Sequence, residues 1–326
     1  MIVLDANQLR QVLPGKPALK LLKAAAQRSG HTLATTDIVI REVTRQRREE
    51  LTTAIAQLTK AQRTFNNVAS PDNQLAGGPF DKLTKEFIEA ELKRFKSGLQ
   101  AFHILETTPE DAREALLREA DHTAPCLTGV EGRDASIWLT ALRASRSPEL
   151  TPGEEALPTI FVSEDATFCG ADDQIASSLL KDVPDGTEVL LQRTVIAVMG
   201  TLGFPIQWND VSTITDSPEF HEALVAAVAI AGGPILLGHL DTETMTPPRL
   251  ASPRGQQCHG EDTTLTSVRG EWTFQVLLGE SSSDPAGNRK PGYTVQVGGE
   301  ALVTQDRSGS ITDVAFSTHV IRTAAL

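Results

Sequence analysis

Cysteine is scarce in this chain: three among 326 residues, Cys126, Cys169 and Cys258, scattered and with no Cys-x-x-Cys spacing. That argues against a disulfide framework or a thiolate zinc site and fits a reducing, cytoplasmic setting. The adjacent Cys258-His259 pair lacks partners at ligand spacing and is expected in a loop. With one Tyr and three Trp, the chain offers few aromatic platforms on which single-stranded bases could stack. No apolar run approaches membrane length, and Met1 leads into Ile2-Val3-Leu4 without a basic stretch. Neither a transmembrane helix nor a signal peptide is expected. Internal repeats and low-complexity segments are missing as well.

What is present is an ordinary globular composition, 40% apolar and 22% charged, long enough for one large or two ordinary domains. The net charge of −12 argues against a protein that coats nucleic acid, but it is unevenly spread. Residues 1–150 carry 21 Lys and Arg against 19 Asp and Glu; residues 151–326 carry 9 against 23. The front half could present basic patches to a polyanion, and the back half would repel one.

Strand and helix patterns alternate to about residue 205, which predicts a doubly wound, mainly parallel α/β sheet. Ile2–Asp5, "HTLATT", "AFHILET", "TIFVSED" and "TEVLLQ" read as its strands. The helical stretch from about Ile38 to Val68, broken by "SPDNQLAGGP" and resumed in "FDKLTKEFIEAELKRF", predicts a helical-hairpin insertion over about 38–103. Pro109 and Gly132 open further helices, "QIASSLLKDV" predicts another, and "TVIAVMGTLG" closes the region. Residues 206–326 predict a smaller, β-rich α+β domain. It comprises one helix ("SPEFHEALVAAVAIAGG"), a loop-rich span from Gly232 to Asp262, and three strands with a hairpin turn at "QDRSGSI".

Four acids fall where an open parallel sheet collects ligands, beyond the carboxyl ends of its strands. Asp5 ends the first strand and Asp165 the fourth. Glu42 lies in the first turns of the long helix and Asp134 at the start of "GRDASIW". Each has an ordinary alternative: Asp134 and Asp165 as caps, Glu42 as a solvated helix residue, Asp5 as an exposed strand end. Asp37 competes with Glu42 for the second position. Glu164 should face away from Asp165 by strand alternation, and Asp172 and Asp173 suit a helix N-cap or the rim of the site. Packed together, such carboxylates repel one another unless cations join them, and Mg²⁺ or Mn²⁺ are the oxygen-preferring choice. Two such ions about 4 Å apart form an arrangement that hydrolyses phosphodiesters.

The stretches "IVLDANQL", "IVIREV", "GRDASIW" and "FVSEDATF", in this order, resemble the PIN domain, a family of metal-dependent nucleases. Ser163, Asp165 and Phe168 carry the most specific spacing, and the resemblance covers roughly residues 1–205. It implies a PIN-like fold, Asp5, Glu42, Asp134 and Asp165 as catalytic metal ligands for Mg²⁺ or Mn²⁺, and Asn7 and Ser163 as groups that orient them. It further implies an endoribonuclease rather than a deoxyribonuclease, and a toxin or defence role. Arg41, Arg45, Arg48 and Arg133 are candidate nucleic-acid contacts. With Arg47, Lys82, Lys85, Lys93, Arg94 and Lys96 they could grip phosphates electrostatically, so that binding weakens with salt. The competing reading is a solvated helix laced with Glu–Arg pairs.

Two other functions compete with this one. A scaffold that keeps the fold without turnover is the alternative from a different class. A phosphatase whose nucleophilic Asp ends the first strand needs a second Asp two residues on; Asn7 stands there and cannot donate a carboxylic proton. Basic residues and long helices fit a homodimer as readily as a monomer, and the acidic C-terminal domain offers a surface to a protein partner or inhibitor.

Overall fold

The structure is a computed structural model that describes residues 1–68, 85–147, 150, 157–170, 174–231, 249–250, 254–276 and 293–325. Its chain divides into two compact units: Met1–Leu9 with Ala26–Arg193, and Arg10–Ala25 with Thr194–Leu326.

The first unit is built on β1 (Ile2–Leu4), whose three residues are wholly buried. A strand apolar on both faces needs cover on both, which a parallel sheet with crossover helices supplies. After α1 (Ala6–Gln11) and α2 (Pro17–Arg28) the chain enters β2 (Leu33–Thr36) and the 32-residue α3 (Asp37–Val68). Thr36 Oγ1 accepts from Val39 N at 3.2 Å and so satisfies one of the amides left open at the start of α3. Next come α4 (Lys85–Gly98), β3 (His103–Leu105), α5 (Pro109–Ala120) and α6 (Gly132–Ala144). β4 (Thr159–Val162), α7 (Ser177–Leu180) and β5 (Val189–Gln192) complete the unit.

The five strands are parallel in the order β3-β2-β1-β4-β5, as the alternating pattern implies. The chain moves outward from β1 to β3 and then returns to the other side of β1. Strand order therefore reverses between β1 and β4. Trp138 of α6 packs on Phe161 and Phe168, with centroids 5.4 and 6.1 Å away, and fixes α6 against this part of the sheet. Arg118 of α5 forks onto both oxygens of Asp182 at 2.6 and 3.0 Å, and Trp138 Nε1 donates to the same carboxylate at 3.2 Å.

The predicted hairpin exists as far as it is described: α3 and α4 lie side by side, joined by a forked Arg48–Glu89 pair. Its turn, with Lys82 and Leu83, lies outside the described residues, as do Asp172 and Asp173. The helix predicted over "QIASSLLKDV" is only one turn, α7. Ile175 instead pairs with Cys169 in an antiparallel bridge, so the segment before Ser177 is extended.

The second unit holds α8 (Val195–Thr201), capped by Thr194, then β6 (Ile206–Asp210), α9 (Ser212–Thr215) and α10 (Pro218–Ala231). The strands β7 (Arg249–Leu250), β8 (Arg254–His259), β9 (Thr263–Val276), β10 (Tyr293–Asp306) and β11 (Ile311–Ala325) follow. They form an antiparallel sheet, β11-β10-β9-β8-β6, with β7 against β9. Phe220 and Leu224 of α10 pack with Val268, Trp272, Ala301 and Val303 in the core. Lys16, from the early segment, bonds Asp313 of β11 at 2.7 and 2.8 Å.

Within this sheet the hairpin at "QDRSGSI" is present: Gly309 takes φ 85 and Asp306 Oδ1 accepts the Ser308 and Ser310 amides. The loop expected for Cys258-His259 is corrected. Both lie on β8, with Cys258 buried opposite Ile206 and His259 exposed. "IQWND" and "RGQQCH" are too polar to announce strands, and each is held by the neighbour it pairs with. Among the described residues no helix is long and apolar enough to cross a membrane.

Candidate functional site

Asp5 follows directly on the buried β1, so its carboxylate is only 5% exposed. Ala6 N donates to Oδ1 at 2.6 Å and Ser163 Oγ to Oδ2 at 2.7 Å. Ser163, the first residue after β4, is fully buried, and its oxygen in turn accepts from Asp165 N at 3.1 Å. One hydroxyl thus ties together the carboxyl ends of the two strands between which strand order reverses, the place where open sheets bind ligands. Asp165 is further held through Oδ1, which accepts from Thr167 N and Thr167 Oγ1, both at 2.8 Å.

Glu42 sits on α3, half-buried, its Oε1 taking Gln46 Nε2 at 3.1 Å and Arg133 Nη1 at 3.2 Å. Asp134 lies in the first turn of α6 but is not its cap, which is Glu131. It accepts no hydrogen bond from the described residues.

The four acids sense one another. Burial pushes the Asp5 carboxyl up to about 6 against the bonds from Ser163 and Ala6, and the charges of Glu42 and Asp165 add to the rise. Burial likewise lifts Asp134 to about 7, helped by Asp5, Asp165 and Glu42 and opposed by Arg133. Two strand ends and two helices therefore deliver carboxylates to one electrostatic neighbourhood. Among the described residues, however, no three His, Cys, Asp or Glu side chains stand close enough to enclose a single ion as they lie.

The competitor Asp37 faces elsewhere. Its Oδ1 accepts from Thr107 N at 3.1 Å and Thr107 Oγ1 at 2.6 Å, tying the start of α3 to the residues after β3. Asn7, in the first turn of α1, bonds none of the acids among the described residues. Glu164 is buried.

The arginine candidates are already engaged. Arg41 lies 3.7 Å from Asp37, Arg45 bonds Glu49 at 2.7 Å and Arg47 bonds Glu50 at 3.3 Å. Arg48 pairs with Glu89 and Arg94 with Glu91. Exposed pairs of this kind separate easily, but they match the laced-helix alternative. Arg133 differs, being 61% exposed while its partner is the site acid Glu42. Two residues that touch the acids were not singled out from the sequence, Gln46 and Thr167. The signals were there: Gln46 is one helical turn from Glu42, and a Thr two residues after an Asp readily bonds back to it.

A family model for the PIN domain matches residues 2–168, about half of the chain. No curated protein and no solved structure matches it.

Proposed function

The chain belongs to the PIN domain family, whose members are generally nucleases that use divalent metals, and on that premise we propose that it is a Mg²⁺- or Mn²⁺-dependent endoribonuclease. The observation that supports this most is the Ser163 hydroxyl joining Asp5 and Asp165 at adjacent strand ends. Burying Asp5 beside Asp165, Glu42 and Asp134 is costly unless positive charge enters. The donors are all oxygens, the set that hard divalent cations take.

Asp5, Glu42, Asp134 and Asp165 would hold the metal, with water completing its shell, since Mg²⁺ is commonly held by one or two carboxylates and several waters. When bound, the metal supplies an activated water and charge for the leaving oxygen. The protein's part is to hold Asp5 and Asp165 at fixed separation through Ser163. Arg133, at the exposed edge of Glu42, stands ready to take a phosphate oxygen. The acidic residues 206–326 serve regulation or substrate choice, and a toxin or defence role is compatible with the family. In the assay, purified protein with Mn²⁺ cleaves single-stranded RNA, and Asp5→Asn and Asp165→Asn each abolish cleavage. Equal cleavage by the wild type and both variants refutes the reading.

One observation favours the second reading, a catalytically silent scaffold: among the described residues, no three acids enclose an ion as they lie. Calorimetry separates the two, because a scaffold binds no Mn²⁺ at millimolar concentration.

A further inference from the structure

Thr167 and Gln46 each approach a site acid from one side only. Thr167 gives Asp165 Oδ1 two donors, amide and hydroxyl, and Gln46 gives Glu42 Oε1 its Nε2. The other oxygens, Asp165 Oδ2 and Glu42 Oε2, receive no hydrogen bond from the described residues.

Gln46 carries a second indication. Its own Oε1 is buried with no hydrogen-bond partner among the described residues. Leaving a buried carbonyl unmatched is destabilising. Turning the amide over would not help, because its oxygen would then face the Glu42 carboxylate. The orientation serves Glu42 rather than the packing of α3.

We propose that Thr167 and Gln46 are positioning residues for the divalent-ion site, each holding one carboxylate by one oxygen so that the ion meets only the other. This rests on Asp165 and Glu42 being metal ligands. A carboxylate held in this way has lost its freedom to rotate before the ion arrives, which lowers the entropic cost of binding. It also ligates through a single oxygen. Small octahedral Mg²⁺ and Mn²⁺ suit that mode, whereas Ca²⁺ readily takes both oxygens of a carboxylate. The two residues therefore act on selectivity as well as affinity.

The test is calorimetric titration of the metal-free full-length protein with Mn²⁺ and with Ca²⁺, alongside its melting temperature. Thr167→Val and Gln46→Met weaken Mn²⁺ binding about 10-fold or more, narrow the Mn²⁺ preference over Ca²⁺, and leave the metal-free melting temperature unchanged or higher. Thr167→Ser, which keeps the hydroxyl, restores Mn²⁺ binding. Wild-type Mn²⁺ affinity in both variants overturns the proposal while leaving the metal site standing. An equal loss for both ions also overturns it, since a distorted site weakens both alike. A wild type that binds no Mn²⁺ overturns the metal site, and this inference with it.

Discussion

Replacing Asp5 with Asn is expected to stabilise the metal-free protein while destroying its activity. Burial and the neighbouring acids hold the Asp5 carboxyl at about 6, against the usual 3.8. The folded protein therefore keeps a proton that the unfolded chain gives up. The stability contributed by that proton is fully present below 3.8 and is lost as pH rises to about 6, at ~1.4 kcal/mol per pH unit, or ~3 kcal/mol in all. Asn cannot ionise and escapes this loss. Its oxygen can keep the bond from Ala6 N, but its amide must then donate to Ser163 Oγ, whose hydroxyl loses an acceptor at a cost of ~1 kcal/mol. The net gain is ~2 kcal/mol, or roughly 4–8 °C, and a lowered Asp134 pKa adds to it. Urea unfolding in EDTA should show this gain at pH 8 and show it vanish near pH 4. Adding Mn²⁺ should reverse the order, because only the wild type binds the ion tightly. A variant no more stable than the wild type at pH 8, or a gap that ignores pH, would refute the reasoning.

Glu42→Gln should abolish Mn²⁺ binding in calorimetry, whereas Asp37→Ala should leave it intact and cost ~1–2 kcal/mol of stability through the lost Thr107 bonds. The opposite pattern would make Asp37 the ligand. Asp182→Ala takes the acceptor from Trp138 Nε1 and the fork from Arg118, which keeps only Glu114 and the Ala124 carbonyl. It should destabilise the first unit by ~3 kcal/mol in urea unfolding, with Mn²⁺ affinity unaltered.

How much of this was legible in the sequence varies by residue. Asp5 could be found because an acid placed directly after a short, wholly apolar strand has few positions open to it, and Asp165 because it lies three residues past the buried β4. Ser163 was legible for the same reason, two residues from Asp165. The choice between Asp37 and Glu42 was not decidable locally. Both begin α3, and Thr107, which engages Asp37, is 70 residues away. The strands β6 and β8 were illegible because their polar side chains carry no alternation. Their pairing is a property of the neighbours rather than of themselves.

Lys16 and Asp313 are separated by 297 positions, and that spacing sets a timetable. Asp5 leaves the ribosome well before Asp313, and the segment just behind it, Arg10–Ala25, belongs with the second unit. During synthesis at ~5–20 residues per second its partner on β11 takes on the order of 15–60 s to follow. Through that interval Leu19 and Leu22, buried in the finished protein, have no sheet from their own unit to cover them. A chaperone that engages nascent chains would find its client there, within a few residues of Asp5.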